Sequence, residues 1–235
     1  MGTEVAVIVG AGPGLSAALA RRLARDGFRL ALVARNVDKL AELVASLSKQ
    51  TTVLPLAADA ADAGQIEDAF ARAEGALGTP DLVVFNAAQR HRGPIEDLDP
   101  EAVLAAYRTG AFAGFLTAQA AARRMLRRGA GTLLFTGATA SVKAMPQSTP
   151  FAMAKFALRG LAQGLARELG PRGIHVAHLI VDGGIASSWA RPGDAGAPDR
   201  WLDPDAIAAA YLTLHRQHRS AWTAEMDLRP WVETF

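Results

Sequence analysis

The stretch Val5-Ala6-Val7-Ile8-Val9-Gly10-Ala11-Gly12-Pro13-Gly14-Leu15-Ser16 decides the fold. Its five leading apolar residues read as a strand buried on both faces, the pattern of a parallel sheet rather than a half-wetted antiparallel one. The run ends in glycines; Leu15, Ala18, Leu19, Arg22 and Leu23 then follow helical spacing until Gly27 supplies a stop. Small residues between a strand and a helix let the backbone turn sharply. They also let a phosphate approach the N–H groups at the helix N-terminus.

Outward from that turn, strands and helices keep alternating. A strand over Leu30–Ala34 precedes a helix bearing Leu40, Val44 and Leu47, and a strand around Val53–Leu56 precedes a helix with Ile66 and Phe70. A strand Leu82–Phe85 leads to a long helical stretch from Pro100 to about Arg128. Then come strand Thr132–Thr136, a helix from about Phe151 to Leu169 and strand Ile174–Val181. An irregular segment, Ser187–Asp203, precedes a helix Pro204–His218 and a last strand around Trp222–Leu228. Parallel neighbours need crossover connections, and right-handed crossovers cover both faces of the sheet. The expected architecture is an α/β, Rossmann-type doubly wound parallel sheet with helices on both faces, one domain over 1–235 with a substrate-loop region at about 187–203.

Composition narrows the function. Half of the 235 residues are apolar and a fifth are charged, which supports a buried core and argues against disorder. There is no cysteine, so thiolate metal sites, disulfides and cysteine nucleophiles are excluded. With 25 Lys and Arg against 23 Asp and Glu, neither a nucleic-acid footprint nor a basic membrane patch is indicated. The one basic run, Arg123 to Arg128, reads as a helix end whose cations complement the macrodipole. No apolar stretch reaches the roughly 20 residues of a membrane helix, and no secretory leader is visible, so a cytoplasmic location is expected.

The glycine turn is compatible with a nicotinamide dinucleotide, a flavin dinucleotide or a methyl donor. The end of the second strand separates them. Such sites usually place a carboxylate there for ribose hydroxyls, whereas this strand ends in Arg35-Asn36. A guanidinium suits a 2′-phosphate through bidentate, charge-assisted hydrogen bonds, which favours NADP(H) and disfavours methyl transfer. The plain rival is a solvated arginine at a strand end.

Several spaced features together resemble the short-chain dehydrogenase/reductase family over essentially the whole chain. Gly10-x3-Gly14 looks like its cofactor loop, with Ser16 where a third glycine is common. Asp59, followed by Ala60, looks like its adenine-contacting acid; Asn86-Ala87-Ala88 resembles its Asn-Ala-Gly segment; Lys155 resembles the lysine of its active-site helix. The resemblance implies hydride transfer between nicotinamide and a carbonyl or alcohol carbon. It also implies a tyrosine proton donor in Tyr-x3-Lys, a serine holding the carbonyl oxygen and an asparagine anchoring a relay water. Here Phe151 stands at the tyrosine position, Ala138 at the serine and Gly110 at the asparagine, and the family's Pro-Gly becomes Asp182-Gly183. The expected cofactor-binding set is Gly10, Gly12, Pro13, Gly14, Leu15, Arg35, Asn36, Asp59, Ala60, Asn86, Ala87, Ala88, Lys155, Gly184, Ile185 and Ser187, with Lys155 the one catalytic candidate and no metal.

Other groups are candidates to replace the lost donors. A lysine near the site can donate a proton if burial lowers its pKa. His91 lies on a loop at the strand ends, though a solvated histidine is the commoner fact; Thr139, Ser141, Ser148 and Thr149 are loop hydroxyls that usually cap or turn. His178 in an apolar strand, and Tyr107 and Tyr211 on helical stretches, read as structural. Gly110 and Gly114 each cost a helix roughly 1 kcal/mol against alanine, which close approach of another backbone would offset; the resemblance implies that this helix and the one carrying Lys155 pack across a two-fold axis, and packing inside the chain is the plain rival. The expected state is therefore a homodimer or homotetramer. Two functions remain open: an NADP(H)-dependent oxidoreductase with an altered proton-transfer site acting on a small molecule, or a cofactor-binding homologue that serves as sensor or partner subunit.

Overall fold

The computed structural model describes residues 3–186 and 198–232. Strands β1 (Val5–Val9), β2 (Arg29–Ala34), β3 (Val53–Ala57), β4 (Leu82–Phe85), β5 (Gly131–Thr136), β6 (Ile174–Val181) and β9 (Glu225–Leu228) form one sheet. Its order is β3-β2-β1-β4-β5-β6-β9, and every pairing is parallel, from Val5 against Arg29 to Val181 against Leu228. The chain winds outward from β1 in one direction, then returns to its other side at β4. That reversal opens a crevice at the carboxyl ends of β1 and β4, where ligands bind in sheets of this kind.

The pleat divides the core between two faces. Val5, Val7 and Val9 pack with Ile66 and Phe70 of α3 (Ala63–Leu77), Leu116 and Ala121 of α5 (Ala113–Arg128), and Leu158 and Ala162 of α6 (Thr149–Leu169). Ala6 and Ile8 pack on the other face with Leu19 and Leu23 of α1 (Leu15–Arg25), Leu47 of α2 (Ala41–Leu47), and Ile207 and Tyr211 of α7 (Pro204–His215). Each large apolar side chain so buried contributes about 1.5–3 kcal/mol relative to exposure. Asp62, Asp99 and Asp203 cap the N-termini of α3, α4 (Pro100–Tyr107) and α7 through their side chains.

Four expectations need correction. The stretch from Pro100 to Arg128 is not one regular helix: a π-turn at Arg108–Phe112 separates α4 from α5. The segment after Ser187 is not wholly irregular, since β8 (Trp201–Leu202) pairs in parallel with β7 (Gly184–Ile185) in a ribbon of its own. Helix α7 stops at His215 and the last strand begins at Glu225. The fourth correction concerns Gly110 and Gly114, whose cost is offset inside the chain. A Cβ on Gly110 would lie 2.8 Å from Cβ of Ala154, and one on Gly114 would lie 2.5 Å from Cδ1 of Leu158. Both neighbours belong to α6, so the glycines let two helices of one chain approach.

The basic run is likewise used internally. Arg124 is buried, with Nη2 2.7 Å from Glu67 and Nε 3.1 Å from Glu74, while Arg127 pairs with Glu74 at 2.6 Å and Arg128 with Asp81 at 2.8 Å. These pairs fasten α5 to α3 and to the start of β4. Among the described residues no helix is long and apolar enough to cross a membrane.

The packing at Gly110 gives a stability test. Ala154 Cβ cannot rotate away, so Gly110→Ala forces a backbone shift whose cost, about 1–3 kcal/mol, exceeds the helix-propensity gain. The urea midpoint should fall; an unchanged or higher midpoint would contradict the account of this glycine.

Candidate active site

The glycine turn is fixed by the strands beside it. Gly10 adopts φ +85°, and the N–H groups of Gly10 and Ala11 both donate to the carbonyl of Val33, at 3.0 and 2.9 Å. A Cβ on Gly10 would lie 2.4 Å from the backbone N of Ala87, so only glycine lets the turn lie against the segment after β4. Ser16 completes the attachment: its hydroxyl donates to the Gly10 carbonyl at 3.0 Å and accepts from Nδ2 of Asn86 at 2.7 Å. Read from sequence as a stand-in for a third glycine, Ser16 is instead a buried clamp between turn and crevice. A polar residue inside the apolar face of α1 was the one available signal.

The turn leaves room for a ligand. No side chain caps α1, whose N-cap is Gly14, and a Cβ on Gly12 would meet nothing within 4 Å. Pro13 is exposed and Leu15 buried. At the end of β2, Arg35 and Asn36 are exposed. Asn36 Oδ1 accepts from the Asp38 N–H at 3.0 Å, whereas Arg35 makes no hydrogen bond or ion pair among the described residues. At the end of β3, Asp59 Oδ1 accepts from the Ala61 N–H at 2.9 Å and its own N–H donates to Oε1 of Gln65 at 2.9 Å, with Ala60 buried beside it. The uncapped helix end and unpaired guanidinium meet the donor requirements of a phosphorylated nucleotide. Among the described residues no cluster of three His, Asp or Glu suits a metal ion.

Between the turn and α6 lies a cavity of about 320 Å³. It is lined by Leu15, Asn86, Ala88, Arg90, Thr136, Gly137, Ala138, Phe151, Lys155, Val181, Gly183 and Ile185. Lys155 is 3 % exposed, and its ammonium donates to the Thr136 carbonyl at 2.6 Å. Burial first, and then the neighbouring Arg90 cation, push its pKa down from 10.5 to about 8. The Thr136 hydroxyl is itself bonded to the buried Tyr211 hydroxyl at 2.7 Å. Burial holds that phenol above its ordinary pKa, so Tyr211 is a neutral strut.

Phe151 lies one turn before Lys155, its ring centroid 5.7 Å from the ammonium and 4.7 Å from the Arg90 guanidinium carbon. The Ala138 N–H donates to the Ser141 hydroxyl at 3.1 Å, and the Thr139 hydroxyl donates to Asp182 at 2.5 Å. Of the loop hydroxyls considered from sequence, Ser141 and Thr139 are thus committed to the backbone and to Asp182, and neither they nor Ser148 and Thr149 line the cavity. His91 is half-buried and also outside the lining. His178 is structural: fully buried, with Nδ1 3.1 Å from Glu225 and its pKa pushed down to about 4 by burial.

Among the expected site residues, Leu15, Asn86, Ala88, Lys155 and Ile185 therefore meet at one cavity, and Gly10 and Ala87 abut behind it. Arg35, Asn36, Asp59 and Ala60 sit at the ends of the next two strands, away from the cavity lining. Gly184 pairs with Trp201, and Ser187 lies outside the described residues. Sequence reading missed Arg90 and Thr136, because a loop arginine and a strand-end threonine carry no local pattern.

A parallel sheet that reverses at β1 and β4, with a glycine turn at the reversal, is the class of nucleotide-binding α/β folds. The chain belongs to the short chain dehydrogenase family, whose model matches residues 4–192. It is similar to a short-chain dehydrogenase structure from Rhodopseudomonas palustris, 33 % identical, covering 98 % of this chain and 100 % of that one with a TM-score of 0.86. An alcohol dehydrogenase from the archaeon Thermococcus sibiricus, complexed with 5-hydroxy-NADP, is 27 % identical over 98 % of both chains with a TM-score of 0.87. The D-threitol dehydrogenase of Mycolicibacterium smegmatis is 31 % identical over 224 residues, 90 % of this chain and 85 % of that protein.

The buried amine makes a stability prediction. The folded pKa of Lys155, about 8, lies below the ordinary 10.5, so the unfolded chain binds more protons between those values and folding gains stability as pH rises through them. Wild type should therefore gain on Lys155→Met between pH 7 and pH 10, by up to about 3 kcal/mol for a shift of this size. Parallel urea curves for the two proteins across that range would contradict the assignment.

Proposed function

We propose that this chain is an NADP(H)-dependent oxidoreductase of the short-chain type in which the ammonium of Lys155, rather than a phenol, delivers the proton. The observation that carries this reading is the buried Lys155 amine with its lowered pKa, in a cavity where Phe151 and Ala138 offer no hydroxyl. A donor is most effective when its pKa lies near the operating pH.

The residues divide the work. Backbone N–H groups at Gly12, Gly14 and Leu15 hold the pyrophosphate, with Gly10 and Pro13 shaping the turn. Arg35 takes the 2′-phosphate, Asn36 supports the adenosine side, and Asp59 with Ala60 contacts the adenine. Asn86, Ala87, Ala88, Gly184 and Ile185 line the nicotinamide half; Ser187 lies outside the described residues. When bound, the nicotinamide supplies the hydride. Lys155 would hold the nicotinamide ribose and would give its ammonium proton to the substrate atom that gains the electron pair, water returning a proton to the amine. Substrates that need no strong oxyanion donor suit the absence of hydroxyls at Gly110, Ala138 and Phe151: an imine, whose nitrogen takes the Lys155 proton, or an activated alkene, whose enolate takes it.

A homo-oligomer also belongs to this reading. Phe112 and Phe115 are stacked 6.1 Å apart and exposed, as are Met153 and Phe156 on α6, an apolar surface that a second copy would cover.

Two measurements test the proposal. Arg35→Asp should weaken NADPH binding at least tenfold more than NADH binding, because only the phosphorylated cofactor loses a charge-assisted partner; equal losses would remove the 2′-phosphate assignment. Across a panel of ketones, enones and imines, NADPH oxidation should be constant at low pH and fall as pH rises through about 8, where Lys155 deprotonates. Lys155→Met should lower kcat by about 10²–10⁴-fold. Tight NADPH binding with no oxidation across the panel would instead favour a sensor or partner subunit.

A further inference from the structure

We propose that Lys155 is also a covalent site: its amine condenses reversibly with small aldehydes to form an iminium, a reaction that needs no cofactor. The inference uses the same buried amine as the oxidoreductase reading but none of that reading's nucleotide assignments. Lys155 lines the cavity of about 320 Å³ between the glycine turn and α6, and it is 3 % exposed. Among the described residues the rest of the lining offers no competing nucleophile, because the Thr136 hydroxyl is bonded to Tyr211 at 2.7 Å.

The match of donors to acceptors points to this chemistry. A lysine ammonium carries three N–H donors. Among the described residues one acceptor meets them, the Thr136 carbonyl at 2.6 Å, and no Asp or Glu lines the cavity to hold the ammonium in an ion pair. The Phe151 ring lies with its centroid 5.7 Å from Nζ. A ring at that distance attracts a cation through its face and needs none of its N–H groups. An N-alkyl iminium carries one N–H and one positive charge. It keeps the single hydrogen bond and the ring contact while removing the two donors that the chain leaves unmatched. Unmatched buried donors are costly, so these surroundings favour the iminium over the ammonium more than water does.

Reactivity follows from burial. Only the neutral amine has a lone pair, and burial first, then the Arg90 cation, brings the Lys155 pKa to about 8. One turn further along α6, Arg159 is paired with Glu225 at 2.6 Å, and His178, on which the Lys155 charge acts, is neutral at pH 7 with a pKa of about 4. The step balances without an oxidant or reductant. The nitrogen lone pair attacks the carbonyl carbon and opens the C=O bond to a hydroxyl; that oxygen then leaves as water while the nitrogen electron pair completes C=N. One ammonium and one aldehyde give one iminium and one water, with the positive charge kept on nitrogen. Leu15, Ala138, Phe151 and Val181 make the walls apolar, and the volume admits a small, mainly aliphatic aldehyde.

The test is reductive trapping on the whole chain. Propanal and cyanoborohydride are added at pH 7, and peptide mapping by mass spectrometry follows N-propylation at Lys155 against the exposed Lys39, Lys49 and Lys143. At that pH an amine of pKa about 8 has roughly 10²-fold more of its neutral form than one of about 10.4. With the confined approach set against that advantage, Lys155 should be propylated at least tenfold faster than the mean of the other three. The preference should vanish in urea above the unfolding midpoint. A polyethylene glycol aldehyde, too large for the cavity, should alkylate the exposed lysines and spare Lys155. In intact-mass kinetics, Lys155→Met should lose one fast propylation and keep the slow ones. Propylation of Lys155 no faster than that of the exposed lysines would overturn the proposal, as would attack on Lys155 by the polymer aldehyde or a preference that survives unfolding. NADP⁺ calorimetry tests the cofactor reading separately: an absent heat removes that reading and leaves the trapping ratio to decide this site.

Discussion

The constraint on which the site depends is a primary amine buried, among the described residues, without a counter-ion. Among the described residues the Lys155 ammonium donates to the carbonyl at the end of β5, and the charge that acts on it is another cation, Arg90. Desolvating such a group is costly, and a protein retains it where the amine has chemical work. The surroundings are arranged to hold it still. The Thr136 carbonyl fixes the ammonium, the Thr136 hydroxyl is fixed by Tyr211, and Tyr211 is anchored in the opposite helical layer. The amine's position is therefore set from both faces of the sheet.

The same sheet sets the cofactor side. Parallel strands that reverse direction of growth at β1 bring the glycine turn beside the segment after β4, and Gly10 permits contact so close that no other residue fits. Ser16 then ties the turn to Asn86 through one hydroxyl. A phosphate cradle, a crevice and a buried amine are brought within one fold because strand order, not any single motif, places their loops at the same edge.

Apolar runs, of which Val5–Val9 is unbroken, and helical spacing between them made the seven-stranded sheet and most helices legible in the sequence. Family-like spacing likewise located Asn86, Phe151 and Lys155, which the fold does bring to one cavity. Interactions between distant segments were not legible. Gly110 and Gly114 looked like a surface for a second chain, but their neighbours Ala154 and Leu158 are in the same chain. Arg90 carried no motif, and only folding shows it above Phe151. Thr139 and Ser141 looked available as hydroxyls, yet Asp182 and the Ala138 backbone occupy them. The sequence specifies which residues are apolar or polar locally; it states poorly which polar atoms find each other across the fold.

The central claim is that Lys155 titrates near neutrality because it is buried beside a cation. Its most direct test is a heteronuclear NMR titration of the protein carrying ¹³Cε-labelled lysine, with the Lys155 signal assigned by its loss in Lys155→Met. The account expects a midpoint near 8, well below that of the exposed lysines. A midpoint at the ordinary lysine value of about 10.4 would contradict it, and with it the proposed role of this amine as the proton donor.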